Sequence, residues 1–153
     1  MSEVSERTAL SSDDIVEITQ VVHLYGHILD GRSWDRLSDV FTGDAVFDMS
    51  LEQGTSQGGR RFNGIAELRA MFEVVDHALA HHVSNVYVYE HGGHVRALCK
   101  FFMPDTKGRF HTGEYADRLV RTERGWRITH RMIKERRYFD ADYRPWTLLE
   151  AEF

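Results

Sequence analysis

The sequence predicts an α+β domain in which helices come first and antiparallel strands follow. Up to residue 76, apolar residues recur at steps of three and four; from residue 82 onward the pattern switches to the two-residue period of strands. Three turn signals divide that second half: His91-Gly92-Gly93, Pro104 to Gly108, and Glu123-Arg124-Gly125. Segregated helices and hairpin strands put the helices on one face of a curved sheet.

The elements follow in order. Residues 1–11 show no periodicity and read as a disordered tail. Ser11, Ser12, Asp13 and Asp14 form an N-cap cluster, and Glu17 stands three residues after Asp14 as in a capping box. Ile15, Ile18, Val22, Tyr25 and Leu29 then mark one helix face, which Asp30-Gly31 ends with Gly31 suited to a left-handed cap. Ser33 caps a second short helix through Trp34, Leu37 and Phe41, and residues 45–51 form a strand. A Gly-rich loop, Gln53 to Arg61, is the expected mobile rim, and Gly64 to Asp76 is the third helix. Strands are expected at 82–90, 95–103, 110–121 and 126–139, with Val95, Ala97, Cys99, Phe101 and Met103 on one face. The remaining residues, 140–153, are too apolar to float free, so they pack as a lid or on a neighbouring subunit.

Composition narrows the function. The 153 residues suit one domain, with 42% hydrophobic and 28% charged residues in the globular range. A net charge of -5 argues against nucleic acid or an anionic membrane as partner. The single Cys99 excludes a disulfide framework and a cysteine zinc site. No apolar run reaches the ~18 residues of a membrane span, and the polar start of the chain carries no leader pattern, so a cytoplasmic protein is expected.

The strong cofactor and nucleophile motifs are missing: no GxGxxG, Walker loop, HExxH, GxSxG or CxxC. His23 and His27 lie four apart on the first helix, but a solvated face explains them better than a metal, and neither metal nor cofactor is expected. Two residues stand out. Asp30 closes a helix where the macrodipole disfavours a carboxylate, and His82 opens a strand after a short connection. Asp-Gly turn chemistry accounts for the first, and an ordinary imidazole for the second, when each is taken alone.

Together they fit a larger pattern. Residues 29–37, then Phe41, Asp44-Ala45 and Asp48, then His81-His82-Val83-Ser84-Asn85, resemble the SnoaL-like families of the NTF2-like superfamily. Gly113-Glu114-Tyr115 and Gly125 to Ile128 extend the resemblance, which covers about residues 12–137. The branch most similar contains scytalone dehydratase, bile-acid 7α-dehydratase and the hexachlorocyclohexane dehydrochlorinase. The resemblance implies a cone: a strongly curved antiparallel sheet wrapped on about three helices around an internal pocket, the domain spanning 12–139. It implies a catalytic Asp-His dyad at Asp30 and His82, a first-helix tyrosine at Tyr25, and a pocket arginine at Arg131. It departs where scytalone dehydratase has a second histidine and a strand tyrosine, positions that fall on Cys99 and Met49, so scytalone itself is not the expected substrate. Relatives form trimers or dimers, so a homo-oligomer is expected.

The chemistry that follows is general-base elimination. Asp30 would orient His82, and His82 would remove a proton α to a carbonyl and return it to a β-hydroxyl leaving group, with Tyr25 donating to the oxygen. Arg131, Tyr115, His111, Cys99 and Met49 would contact a hydrophobic or aromatic β-hydroxy carbonyl substrate. Core packing is an equally good reading for Tyr115. Other activities fit the same cone: an isomerase with Asp48 as base, an epoxide hydrolase, or a non-catalytic binding module such as a dioxygenase β-like subunit.

Overall fold

In a computed structural model, residues 10–52, 57–137 and 145–153 are described. The chain opens with α1 (Ser12–Asp30), passes through a 3-10 helix (Trp34–Asp39), and continues as β1 (Phe41–Asp48), β2 (Arg61–Asn63) and α2 (Gly64–Val74). Four strands follow: β3 (His82–His91), β4 (His94–Pro104), β5 (Phe110–Thr122) and β6 (Gly125–Arg136). Residues 53–56 of the expected rim loop, Tyr138, Phe139 and Tyr143, and residues 1–9 of the tail lie outside the described residues.

The capping box of α1 forms one turn earlier than the Asp14–Glu17 spacing suggests. Ser11 is the N-cap and Asp14 the reciprocating carboxylate, at 2.9 Å from the Ser11 amide. Glu17 instead accepts the Trp126 amide at 2.8 Å, tying α1 to the start of β6. At the other end Gly31 stays right-handed, and Arg32 takes the left-handed conformation at φ 53°.

The six strands form one sheet in the order β2-β1-β6-β5-β4-β3. It is mixed, not wholly antiparallel, because β1 pairs in parallel with β6, Phe47 opposite Arg131. Parallel neighbours need a long crossover, and here the crossover is everything between them: β2, α2 and three hairpin-linked strands. The inner face of the sheet and both helices share one apolar core, including Ile18, Val22, Leu68, Phe101 and Ile128.

The outer face is covered by the described part of the tail. Leu148 is buried against Leu98, Ala116 and Met132, and the Phe153 ring lies 4.7 Å from the Arg96 guanidinium and 4.7 Å from the His130 ring. Glu114, fully buried on that face, accepts the Leu148 amide at 2.7 Å and the Thr147 hydroxyl at 3.2 Å. No residue of 145–153 stands in the wall of the cavity on the inner face.

Candidate active site

Between α1, α2 and the inner sheet face lies a cavity of about 550 Å³. Its floor is aromatic: Tyr25, Phe47, Phe72, Phe101 and Tyr115 all line it. Tyr25 sits at the centre, with ring centroids 6.5 Å from Phe47, 6.4 Å from Phe72 and 5.6 Å from Tyr115. These rings meet mostly edge to face, the arrangement that aromatic quadrupoles favour.

Among the polar groups that line this cavity is His81. Its Nδ1–H donates to the Asp30 carboxylate at 2.6 Å, and its backbone N–H donates to the same carboxylate at 3.0 and 3.1 Å. Asp30 therefore serves two donors of one residue, which resolves its awkward place at a helix C-terminus. With Nδ1 committed, Nε2 carries the lone pair and has no hydrogen-bond partner among the described residues. The His81 side chain is only 7% exposed and lines the cavity, whereas Asp30 stands behind it.

The dyad is thus Asp30 with His81, and the expectation of His82 is corrected. His82 is the first residue of β3, pairs opposite Phe102, and is exposed on the outer face with its ring 6.4 Å from the Phe102 ring. Adjacent residues entering a strand point to opposite faces, so only one of the two histidines can reach the cavity. Gly26 decides how near it comes: a methyl group there would stand 2.7 Å from the His81 carbonyl oxygen, so the connection crosses α1 where α1 has no side chain.

Tyr25, Tyr115, His111 and Met49 line the cavity. Cys99 and Arg131 do not. Cys99 is buried beneath the floor, and burial pushes its thiol up to about 12, so it stays neutral. Arg131 is fully buried, donates to Asp117 through Nε and Nη2 at 2.7 Å each, and lies 4.2 Å from the Tyr25 ring and 4.4 Å from the Tyr115 ring. It lies against both phenol rings and is not in the cavity wall. Burial pushes the Tyr25 phenol up to about 12, with Arg131 acting against it, so Tyr25 remains a proton-bearing donor at neutral pH. Asp48 is also outside the cavity wall, fully buried and held by the Ser50 amide at 2.9 Å, Arg61 at 3.0 Å and His130 at 3.3 Å.

Several lining residues escape the sequence reading. His77, in the connection between α2 and β3, donates from Nε2 to the Phe72 carbonyl at 2.6 Å, its ring 6.3 Å from that of His81. At the mouth, His111 bridges Glu135 at 2.6 Å and Asp105 at 3.1 Å, and Glu52 lies nearby, buried. Carboxylates on both nitrogens require both to carry protons; burial opposes that charge, the two partners outweigh it, and the His111 pKa is raised. Burial also raises the Glu52 pKa. The Asp105 and Glu135 contacts have a signal in the sequence, since His111 would face them across its turn and across β6; His77 has none. Among the described residues no group of three or more His, Cys, Asp and Glu could hold a metal ion.

No curated protein matches the sequence. Among solved structures, a candidate aromatic ring hydroxylase from Novosphingobium aromaticivorans is 30% identical, with a TM-score of 0.64 over 81% of this chain and 90% of its own. A candidate scytalone dehydratase from the same organism is 19% identical, with a TM-score of 0.60 over 82% and 85%. A protein of unknown function with a cystatin-like fold from Nostoc punctiforme is 16% identical, with a TM-score of 0.68 over 83% and 94%. The last two show the fold alone. The profile of the SnoaL-like domain matches residues 11–132, which span the Asp30–His81 pair and nearly the whole sheet. The chain belongs to the SnoaL-like domain family, with the NTF2-like, cystatin-like fold.

Proposed function

We propose that this protein is a cofactor-independent lyase that eliminates water from a hydrophobic or aromatic β-hydroxy carbonyl compound, with His81 as general base. One observation carries the reading: a carboxylate-oriented imidazole, Nε2 free, in the wall of an aromatic cavity of about 550 Å³. Placing an imidazole against aromatic rings costs stability, and packing alone gives no reason to retain it. Nε2 takes the proton α to the carbonyl, the C–H electrons form the double bond, and the β-hydroxyl leaves as water with the proton returned by the imidazolium. Asp30 fixes the tautomer and supports the positive charge on His81 during transfer. Tyr25, protonated and on the cavity floor, donates to the carbonyl oxygen as charge develops there. Arg131 acts from beneath, as a positioning residue for Tyr25 and Tyr115.

The isomerase reading is less supported, because Asp48 is not in the cavity wall. A non-catalytic binding module remains the competing reading. The test is to incubate the protein with 3-hydroxy-1-tetralone, whose dehydration yields fluorescent 1-naphthol. Turnover that falls 10²–10⁴-fold in His81→Gln is expected. Tight binding of 1-naphthol without turnover of any β-hydroxy ketone would favour the binding module.

A further inference from the structure

The cavity holds a second imidazole that the elimination chemistry does not use. His77 follows the end of α2, whose last carbonyls lack intrahelical partners, and its ring meets one of them: Nε2 lies 2.6 Å from the Phe72 carbonyl. A carbonyl oxygen only accepts, so Nε2 must carry the proton and Nδ1 must carry the lone pair of the neutral ring. Burial, the largest influence on this group, lowers its pKa and keeps it neutral. Nδ1 has no hydrogen-bond partner among the described residues, although His77 lines the cavity. Capping the helix accounts for Nε2 but leaves Nδ1 as an unused acceptor.

The ring is held firmly in that pose. Trp34 lies 5.4 Å from it and stacks on Phe72 at 5.8 Å, so His77 is confined between the helix end and an indole. Its neighbour in the cavity is His81, 6.3 Å away, locked in the opposite tautomer by Asp30. The cavity therefore presents two imidazole acceptors side by side, next to the aromatic floor. One is placed for proton abstraction. The other can only receive a hydrogen bond.

We propose that His77 is a specificity-determining residue, its Nδ1 accepting a hydrogen bond from a ligand hydroxyl beside the group that faces His81. The site then takes ring compounds with at least two hydrogen-bonding substituents on one edge, over those with one. This rests on the proposed cavity as the ligand site, but not on its catalysing elimination. A hydroxyl without an acceptor would be buried at a penalty, so the second substituent is worth about five- to tenfold in affinity.

Equilibrium binding of naphthalene, 1-naphthol and 1,3-dihydroxynaphthalene, followed by tryptophan fluorescence, reads this directly. The wild type should bind 1,3-dihydroxynaphthalene about five- to tenfold more tightly than 1-naphthol. In His77→Phe that gain should fall below twofold while naphthalene affinity is unchanged. No gain in the wild type, or a gain that survives in His77→Phe, overturns the inference. If His77→Phe also weakens naphthalene, His77→Gln decides, because its amide oxygen can accept: a restored gain supports the role, and its absence refutes it. None of these readings requires turnover, so absence of lyase activity would leave the inference standing, and failure here would leave the lyase reading standing.

Discussion

Replacing Gly26 by alanine tests the geometry of the site through one methyl group. The added carbon would lie 2.7 Å from the His81 carbonyl oxygen and 3.3 Å from the His81 Cβ. Carbon–oxygen contacts rarely close below about 3.3 Å, so the connection carrying His81 has to retreat by about 0.6 Å. The obstacle is backbone, which cannot swing aside as a side-chain tip would. Asp30 sits on α1 and His81 on the displaced segment, so the 2.6 Å bond between them takes up the shift. A misplacement of 1 Å can cost 10²-fold in rate, so about tenfold is expected in kcat/KM for 3-hydroxy-1-tetralone. Stability changes less. Overpacking costs about 1–3 kcal/mol, and alanine in place of a helical glycine returns up to about 1 kcal/mol, a net loss of about 0–2 kcal/mol by urea denaturation. Wild-type kcat/KM in Gly26→Ala would show that the close approach does not hold the dyad in place.

Further outcomes follow from the same contacts. His82→Gln should leave turnover within twofold of wild type, in contrast to His81→Gln, measured in the 1-naphthol fluorescence assay. Asp117→Ala strips the carboxylate from a fully buried Arg131 and should cost about 3–5 kcal/mol of unfolding free energy in urea. His111 has a folded pKa above its ordinary 6.5, so its stabilising contribution is complete below pH 6.5 and disappears as pH rises through the raised value. In His111→Gln that part of the pH dependence should vanish from urea midpoints measured on either side of the range. Leu148→Ala, which opens the outer cluster, should cost about 2–5 kcal/mol without changing kcat/KM.

Much of the fold is legible in the sequence because its signals are local. The helix stripes, the hairpin turns and the alternation of Val95 to Met103 depend on residues within one element, and α1, α2 and β3 to β6 lie close to their expected spans; β2 is not among the expected elements, and β1 begins at Phe41, which the sequence pattern places in the short helix. The parallel pairing of β1 with β6 has no local signal, since nothing within either strand names its partner. The same limit governs the site. Family resemblance leads to His81-His82, but two-residue alternation assigns a face only once one position is anchored, and the anchor here is Gly26, half the domain away. Cys99 is on the inner face as its alternation says, but alternation does not say how deep: its pairing partner Tyr115 lines the cavity and Cys99 does not. Arg131 could have been read as a buried ion pair: the β5–β6 turn brings Asp117 opposite it. His77 lies in an irregular connection with no periodicity to read.

The parallel seam between β1 and β6 also bears on how the chain is made. Phe47 precedes its partner Arg131 by 84 positions, and synthesis at about 5–20 residues per second separates their emergence by roughly 4–17 seconds. During that interval β1 can pair only with the three-residue β2. Phe41 and Phe47, each almost fully buried at the end, wait without their final cover. The nascent chain thus carries an open strand edge until its last strand arrives, and the cavity closes as one of the final events of folding.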